Sequence, residues 1–236
     1  MTISVVIPAY NEEKYIGACL DSVIRFKSHR VTEIIVVDNA STDRTADIAR
    51  SYPGIIVIQE TRKGTGFARD AGFRMATGNI LAYLDADTRV MEGWFETIER
   101  EFTKPNLVCL SGPYWFFDLP TWQSVFLYYW WMTLALPAHA MAGYTVLGGN
   151  FATRKTALEA IDGFDTKIAF YGDDTNLGRR LYAIGDVKFS TRFYTYSSAR
   201  RLQGQGMIKT GILYAMNYLS EVLFHKQVTD EYVDIR

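Results

Sequence analysis

The sequence predicts an α/β fold with a mostly parallel central sheet and helices on both of its faces. Short β-branched apolar runs alternate with segments of helical spacing in the first half of the chain, and polar residues follow each apolar run. The 236 residues, 48% of them hydrophobic, are enough to bury a sizeable core. Sheets of this kind bind ligands at the carboxyl ends of their strands, so the polar residues there are the candidates for a functional site.

Four apolar runs are predicted to form the first strands, and they read ISVVIP, EIIVVD, IIVIQ and NILAYLD. The first helix is predicted where apolar residues recur with helical spacing, at Ile16, Leu20, Val23 and Ile24. Ser41 before TDRTADIAR is an expected helix start, and Gly78 after ARDAGFRMAT is an expected helix stop. The polar segments that follow the four strands are YNEE, DNAST, RKGTG and DADT.

Charge and cysteine content argue against several classes of partner and site. The net charge is −1 without long runs of like charge, which argues against a nucleic-acid partner. Cys19 and Cys109 stand alone, so neither a disulfide framework nor a structural zinc site is expected. This cysteine usage predicts a reducing, cytoplasmic setting. The N-terminal MTISVVIPAYNEE has no basic region before its apolar run and is predicted to be a strand, not a signal peptide.

Two aspartates separated by one residue follow the fourth predicted strand, in ILAYLDADTRV. If the chain stays extended past Leu84, Asp85 and Asp87 project to the same side. Mg²⁺ or Mn²⁺ would relieve the repulsion between their carboxylates and hold a diphosphate. The residues alone leave an alternative open, in which Asp85 turns the chain and Asp87 caps the helix of EGWFETIEREF.

Five segments of the chain resemble, in the same order, the motifs of the family-2 glycosyltransferases of GT-A fold. They are SVVIPAYNEEKYIGACLDSV, EIIVVDNASTDRTADIA, RKGTGFARDAGFRMATGNILAYLDADT, GGNFATRKTALEAIDGFD and YGDDTNLGRRLYAIG. The resemblance implies inverting transfer of a sugar from a nucleotide-diphosphate sugar to an acceptor hydroxyl, with a divalent metal, Mg²⁺ or Mn²⁺. It further implies one GT-A domain, in which residues 1–112 bind the donor and residues 113–236, with a C-terminal helix, bind the acceptor and catalyse.

The resemblance also assigns residues to the donor. The donor-binding residues that it implies are Pro8, Ala9, Tyr10, Asn11, Glu12, Asp38, Lys63, Gly64, Arg69, Asp85, Ala86 and Asp87. Asp38 corresponds to the acid that bonds the base, Asp87 to the metal ligand, and Asp85 to the acid that meets the ribose or sugar and adjoins the metal. From the residues alone, Glu12 and Glu13 could instead stabilise the N-terminus of the first helix through its dipole.

The segment YGDDTNLGRRL resembles the acidic motif that supplies the catalytic base. An inverting transfer needs a carboxylate near the acceptor hydroxyl. The resemblance implies Asp174 as this base, with Asp173 in place of a more usual glutamate. From local sequence alone, the two aspartates would equally well stabilise the start of a helix.

Other residues are implied to line the same site. Gly148, Gly149 and Asn150 correspond to the backbone beside the acceptor. Arg180 corresponds to a family arginine near the diphosphate. Arg200 and Arg201, in SSARRLQGQG, are predicted to lie in a loop that could close over the diphosphate, with plain surface solvation as the alternative.

An uncharged stretch covers residues 119–153. A membrane-spanning helix needs about 20 apolar residues, and this stretch is interrupted by Pro120, Gln123, Pro137 and His139. Core packing, a membrane-surface role and an apolar acceptor site all remain open for it. A glycan or lipid-linked acceptor and a cytoplasmic location, peripheral at the inner face of a membrane, are therefore expectations.

Two other function classes compete with glycosyl transfer. A sugar nucleotidyltransferase also uses metal-binding carboxylates on an α/β sheet, but such enzymes usually carry a glycine-rich basic loop after the first strand, where this chain has AYNEE. A catalytically idle module that binds nucleotide sugars would have little reason to keep Asp85, Asp87 and Asp174 acidic. Since a sequence feature argues against each alternative, glycosyl transfer is the favoured prediction.

Overall fold

A computed structural model describes residues 1–168 and 172–206, together with Thr210, Leu213, Met216, Asn217 and Ser220. Within these residues the strands are β1 (Ile3–Ala9), β2 (Val31–Asp38), β3 (Ile55–Gln59), β4 (Ile80–Leu84), β5 (Thr88–Arg89), β6 (Leu107–Ser111), β7 (Tyr114–Phe116), β8 (Asn150–Arg154), β9 (Asp186–Phe189) and β10 (Thr195–Ser197). The helices are α1 (Ile16–Phe26), α2 (Thr45–Arg50), α3 (Thr65–Met75), α4 (Trp94–Glu101), α5 (Thr121–Ala142), α6 (Lys155–Ala160), α7 (Asp173–Tyr182) and α8 (Arg200–Gln205). The predicted C-terminal helix lies mainly outside the described residues.

The described strands form a large sheet in the order β3-β2-β1-β4-β8-β6-β9 and a small one in the order β5-β10-β7. Neighbours in the large sheet run parallel, except that β8 is antiparallel to both β4 and β6. This arrangement confirms the predicted mostly parallel α/β sheet. It also brings the second half of the chain into the sheet, because β8 inserts beside β4.

The core lies on both faces of the large sheet, because successive side chains of a strand point to opposite sides. On β1, Val5 and Ile7 pack in one buried cluster with residues of α1 and α4. Val6 packs in the other, with residues of α3 and α7. Since both faces are covered, the central strands read as nearly continuous apolar runs in the sequence.

Two predicted helix boundaries are wrong. Helix α2 begins at Thr45, four positions after Ser41, because the Asp43 carboxylate accepts the backbone N–H of Thr45 at 2.9 Å. Ser41 instead accepts a hydrogen bond from the backbone N–H of Asn11 at 3.0 Å. Helix α3 ends at Met75, and Gly78 lies in the following loop, where its N–H donates to the Ser4 hydroxyl at 2.8 Å.

One alternative that the sequence left open is also wrong. Helix α4 begins at Trp94 with Gly93 as its N-cap, so Asp87 is too far away to cap it. Helix α1 begins at Ile16, whose N–H donates to the Glu12 carbonyl at 2.9 Å, so Glu12 and Glu13 directly precede this helix and the dipole alternative for them stays open.

The uncharged stretch contains one helix of 22 residues, α5, which begins after Pro120 and continues through Pro137. In the described part of the chain, no helix combines the length and the apolar character that a membrane crossing requires. Helix α5 packs along the second half of the fold, and it leads through residues 143–149 into β8 beside the carboxyl end of β4.

Candidate functional site

Two arginine–carboxylate clusters lie at the carboxyl ends of β1 and β4. In the first, which we term the Arg69 cluster, Arg69 forms ion pairs with Asp173 and Asp85. In the second, the Arg200 cluster, Arg200 forms ion pairs with Glu12 and Asp87. These contacts bring together six of the residues that the sequence singled out.

The connection after β4 differs from the extended chain that the sequence predicts. Strand β4 ends at Leu84, and the backbone N–H of Thr88 donates to the Asp85 carbonyl at 3.0 Å, which closes a tight turn over Ala86 and Asp87. The premise of a shared strand face is therefore wrong. The turn instead sends the two carboxylates to different arginines. Asp85 Oδ1 lies 3.6 Å from Arg69 Nη2, and Asp87 Oδ2 lies 3.0 Å from Arg200 Nη2.

Arg69 is a buried cation on α3, held between the donor side and the α7 side of the site. One terminal nitrogen donates to Asp173 at the start of α7, and the other faces Asp85. Burial lowers the pKa of Arg69, but the carboxylates of Asp173 and Asp85 outweigh this effect, so the net pKa is raised and the guanidinium stays charged. A buried charge of this kind is stable only while its counter-ions remain.

Asp173 and Asp174 open helix α7 and face different partners. Asp173 is the counter-ion of Arg69. Asp174 Oδ1 accepts the N–H of Thr175 at 2.8 Å, and its Oδ2 accepts the N–H of Gly148 at 3.3 Å. The Asp174 carboxylate is thus tied to the glycine backbone before β8, the segment that the resemblance places beside the acceptor.

The pKa values of this aspartate pair are shifted toward neutrality. Burial raises the pKa of Asp173 to about 7, and the neighbouring Asp174 adds to the effect while Arg69 opposes it. Burial likewise raises the pKa of Asp174, opposed by Arg69 and by the N–H groups of Thr175 and Gly148. Three carboxylates share one buried cation, so the excess of negative charge favours proton uptake. Carboxyl groups poised in this way are suited to general-base chemistry.

The Arg200 cluster connects the C-terminal part of the described chain to the strand ends. Arg200 begins helix α8 instead of lying in the predicted loop, and its guanidinium lies 4.9 Å from the ring centroid of Tyr15. Asp118 anchors the helix start by accepting from the Ser198 hydroxyl at 2.5 Å and from the Ala199 N–H at 2.7 Å. Burial lowers the pKa of Arg200, but the carboxylates of Glu12 and Asp87 outweigh this effect, so the net pKa is raised.

The loops after β1 and β2 are joined by hydrogen bonds that shape the predicted donor region. The Asn11 side chain accepts the N–H of Thr42 at 2.8 Å, and Asp38 at the end of β2 accepts the N–H of Ser41 at 3.2 Å. Lys63 donates to the Tyr10 hydroxyl at 3.0 Å. Pro8 and Ala9 lie within β1, and Gly64 is the N-cap residue of α3. The predicted donor residues are therefore neighbours, and their donor role stays a prediction.

Asn39 and Tyr114 belong to the same region, although the sequence did not single them out as site residues. The Asn39 amide donates to the carbonyls of Glu60 and Arg62 at 3.0 and 2.7 Å, and its oxygen accepts the N–H of Gly64 at 2.9 Å. Asn39 thereby ties the loop after β2 to the loop after β3. The feature of the sequence that could have identified Asn39 as a site residue is its position in DNAST, at the end of a strand.

Tyr114 reaches the site from β7, and its hydroxyl accepts the N–H of Gly149 at 2.8 Å. Burial and the nearby charge of Asp85 raise the pKa of Tyr114, so the phenol stays neutral. No local pattern in the sequence marks this tyrosine, because the contact depends on how β7 and β8 pack.

Two predicted residues, Arg180 and Asn150, have side-chain partners other than a diphosphate or an acceptor. Arg180 donates to the carbonyls of Ile161 and Gly163, the latter at 2.9 Å, so its guanidinium supports the loop after α6. The Asn150 amide donates to the carbonyls of Gly112 and Phe193 at 3.1 and 2.7 Å, which makes its side chain part of the core. Arg201 is the second residue of α8 and is half-buried. Tyr171 of the acidic motif lies outside the described residues.

The two carboxylates after β4 fit a hard divalent cation only with help from a bound ligand. Asp85 is 42% exposed at its side chain, so its oxygens remain accessible, and Asp87 is more enclosed. No group of three or more His, Cys, Asp or Glu side chains in the described ranges is arranged to hold a metal. Mg²⁺ typically takes one or two carboxylates and completes its shell with water and substrate phosphates. Asp85 and Asp87 match that pattern.

Gly149→Ala is expected to disturb the site from its backbone. A Cβ at this position would lie 2.3 Å from Asp85 Oδ2 and 3.0 Å from the Tyr114 hydroxyl. Forcing these groups apart should cost about 1–3 kcal/mol of stability, measured as the free energy of unfolding in urea. Gly17→Ala is the matched control, because its Cβ would lie no closer than 3.3 Å to another group, the Tyr52 hydroxyl. Equal unfolding free energies for both variants and the wild type would contradict the close approach.

Comparisons with known proteins show what this chain is similar to. The model of the family described as Glycosyl transferase family 2 matches residues 4–162. The glycosyltransferase GlyA of Streptococcus pneumoniae is 29% identical over 120 residues, which are 49% of this chain and 17% of that protein. The dolichyl-phosphate beta-glucosyltransferase ALG5A of Trichomonas vaginalis is 33% identical over 111 residues, which are 42% of this chain and 34% of that protein. The matched part thus spans well under half of either relative.

The fold also has a close counterpart among solved structures. The mannosyltransferase PcManGT from Pyrobaculum calidifontis, solved in complex with GDP-Man and Mn²⁺, superposes with a TM-score of 0.70. It is 19% identical in sequence, and the comparison covers 93% of this chain and 62% of that one. At this level of identity the similarity shows the shared fold, not a shared substrate.

Proposed function

Because the chain belongs to glycosyl transferase family 2, we propose that it is an inverting glycosyltransferase that uses a nucleotide-diphosphate sugar. In this proposal residues 1–112 bind the donor, and residues 113–236 bind the acceptor and carry the catalytic base. The observation that carries the proposal is the gathering of Asp85, Asp87 and Asp174 around two arginines at the carboxyl end of the sheet. Acidic and basic groups meet there as transfer from a diphosphate requires.

The donor is held by the loops after β1, β2 and β3. Tyr10, Asn11 and Asp38 lie where these loops meet, with Lys63 bonded to Tyr10. An aromatic ring, polar side chains and a cation are the groups that receive a base, a ribose and a phosphate. The name of the archaeal structural neighbour, which includes GDP-Man, supports a nucleotide-sugar donor as a class.

Asp87 and Asp85 would hold the divalent cation, Mg²⁺ or Mn²⁺. When bound, such an ion supplies positive charge that offsets the developing negative charge of a leaving diphosphate. Arg200 supplies further positive charge from α8, since its guanidinium already lies 3.0 Å from Asp87. Arg201, the next residue of α8, is proposed to contact the diphosphate as well.

Asp174 acts as the general base. Its carboxylate takes the proton of the acceptor hydroxyl while that oxygen forms a bond to the anomeric carbon of the sugar. The bond from this carbon to the diphosphate oxygen breaks on the opposite face, and the electron pair leaves with the diphosphate, so the configuration inverts. Asp173 stays paired with Arg69 and fixes the start of α7.

The acceptor is proposed to be a hydroxyl of a glycan or of a lipid-linked carrier, in the synthesis of a cell-envelope polysaccharide, a glycolipid or a polyprenyl-linked glycan. The name of the Trichomonas relative, a dolichyl-phosphate glucosyltransferase, supports a lipid-linked class. A cytoplasmic location, peripheral at the inner face of a membrane, is part of the proposal. The family match weighs against the sugar nucleotidyltransferase alternative.

Mass-spectrometric screening of nucleotide sugars tests the activity. Each donor is incubated with the protein and Mn²⁺, and the release of the nucleoside diphosphate is followed with and without candidate acceptors. We expect one donor class to be consumed, faster when its acceptor is present. Tight donor binding without turnover on any acceptor would favour the idle binding module.

Nucleotide binding is expected to depend on the metal. A nucleoside diphosphate should bind roughly tenfold or more tightly with Mn²⁺ than with EDTA, as measured by calorimetry, because the carboxylates and the diphosphate share the cation. Asp87→Asn should remove most of this difference. Asp47→Asn is the control, because Asp47 is an exposed acid of α2 whose ion pair is with Arg50 of the same helix. Equal binding with Mn²⁺ and EDTA in the wild type would rule out the metal role.

A further inference from the structure

Helix α5 exposes a continuous apolar stripe along its whole length. Between residues 122 and 141, the exposed positions that the structure describes recur every three or four residues and comprise Trp122, Val125, Phe126, Tyr129, Trp130, Thr133, Leu136, Pro137, Ala140 and Met141. We term this set the α5 face. Its four aromatic side chains are between 55% and 70% exposed, and Met141 is 89% exposed. An apolar surface of this extent on a water-soluble fold marks a binding site.

We propose that the α5 face binds the surface of a lipid bilayer. The role of this surface in acceptor capture rests on the proposed function, whereas its binding to a bilayer does not. Tyrosine and tryptophan are the residue types that prefer the boundary between lipid and water, since each joins an apolar ring to a polar tip. They occupy the N-terminal half of the face, and purely apolar side chains predominate in the C-terminal half.

The α5 face is suited to lipid because few of its groups need hydration. The stretch between Asp118 and Arg154 contains no Asp, Glu, Lys or Arg. The Thr133 hydroxyl, which lies in the middle of the face, donates to the Trp130 carbonyl at 2.7 Å. A hydroxyl satisfied within its own helix can enter an apolar environment at low cost.

The opposite side of α5 fixes the helix on the protein. Leu127 packs in a buried cluster with Ala199 and Leu202 around α8. Met132 and Ala135 pack with Phe189 of β9. Tyr128 stacks on Trp115 of β7 with ring centroids 4.2 Å apart. The outward face is therefore presented in one defined orientation, and a helix lying on the membrane surface needs only its outward side to be apolar.

The charges around the face complement anionic headgroups. Arg89 is exposed and lies 4.1 Å from the ring centroid of Phe117, just before α5. Asp118, the acid nearest in sequence, is occupied by Ser198 and Ala199. An arginine side chain beside an uncharged aromatic surface favours an anionic membrane.

The size of the face argues for lipid over a second copy of the chain. A stable protein–protein interface uses about 20–30 residues on each side. The α5 face offers ten, all on one helix. A bilayer needs no matching surface, and burying a few large aromatic side chains is enough for reversible binding.

The position of the face links it to the candidate site. Helix α8, which packs on Leu127 of α5, begins with Arg200 of the Arg200 cluster. Strand β7, which carries Trp115, also carries Tyr114, whose hydroxyl accepts from Gly149 beside Asp85. A bilayer on the α5 face would therefore be connected to the candidate site through α8 and β7, the two elements that pack on the inner side of α5.

Vesicle sedimentation with the full chain tests the inference. The protein is mixed with vesicles of phosphatidylcholine alone or with phosphatidylglycerol added. We expect sedimentation with both, stronger with phosphatidylglycerol, and only partly reversed by salt, because apolar burial dominates. Trp122→Ser combined with Phe126→Ser should lower the partition coefficient roughly tenfold or more.

The matched control combines Met75→Ser with Ile184→Ser, which removes two apolar side chains that are each 45% exposed and lie outside α5. It should bind vesicles as the wild type does. Calorimetry with a nucleoside diphosphate and no lipid checks that both variants are folded, and it reports on the proposed donor site separately from the membrane.

Three results would overturn the inference: no sedimentation of the wild type with either vesicle, equal sedimentation of the α5-face variant and the wild type, or complete release by salt. Light scattering adds a fourth. A dimer that the α5-face substitutions dissociate, without vesicle binding, would assign the face to a second copy of the chain.

Discussion

Asp174→Asn is expected to lower the rate of sugar transfer by about 10²–10⁴-fold, the usual contribution of a general base. The asparagine keeps the size of the side chain, and its single oxygen can still accept the N–H of Thr175 or that of Gly148, which bond to different oxygens of Asp174. It cannot take a proton from the acceptor. Donor binding should change little, because the groups proposed to hold the diphosphate lie in the Arg200 cluster and the turn after β4. Turnover at saturating substrate and donor affinity by calorimetry are the two measurements.

Asp173→Asn is the matched control. Asp173 is paired with Arg69, so its substitution should lower the free energy of unfolding but reduce the turnover of the folded protein less than that of Asp174. An inactive Asp173 variant beside an active Asp174 variant would move the base to Asp173. If neither substitution slows transfer, the base is elsewhere and the inverting mechanism loses its main support.

Arg69→Met is expected to destabilise the fold by about 3–5 kcal/mol, because it removes one partner of a buried ion pair and leaves Asp173 without its counter-ion. Transfer should fall as well, since Asp85 and Asp173 would no longer share a cation. The free energy of unfolding in urea and the rate of transfer measure the two effects. Methionine keeps the length of the stem, so lost packing contributes little.

The loss of stability caused by Arg69→Met should depend on pH. Asp173 has a folded-state pKa of about 7, raised mainly by burial, against an unfolded value near 3.9. A carboxyl with a raised pKa favours the folded state below its unfolded pKa, and that contribution is lost as pH rises through the folded pKa. Without Arg69 the pKa of Asp173 rises further. The free energy of unfolding of the variant should therefore be closer to that of the wild type at about pH 5 than at about pH 8.

Arg74→Ala is the control on the same helix. Its side chain is 61% exposed, and its ion pair with Asp70 lies within one turn of α3. Exposed pairs of this kind contribute about 0.2–1 kcal/mol. Equal losses for Arg69→Met and Arg74→Ala would contradict the view that the Arg69 cluster is a buried support of the site.

Local sequence was sufficient for the elements whose pattern repeats over a few residues. The run IIVIQ coincides with β3 (Ile55–Gln59), and the spacing of Ile16, Leu20 and Val23 marks the buried side of α1. Both patterns arise because burial selects side chains with the period of the backbone. Helix starts were less predictable. Asp43 and not Ser41 accepts the first N–H of α2, since two polar residues close together compete for one cap.

The sequence by itself determined which polar residues follow the strands, because strand ends place them at one edge of the sheet. The tertiary structure alone decided how they pair. Arg69 meets Asp173 across 104 positions, and Arg200 meets Glu12 across 188. Such contacts leave no local pattern, so Asp85 and Asp87, adjacent in one motif, could not be assigned to different arginines beforehand. The orientation of helix α5 likewise depends on tertiary contacts. Apolar residues occur on every side of this helix, and only the packing of Leu127 and Met132 against α8 and β9 decides which side faces outward.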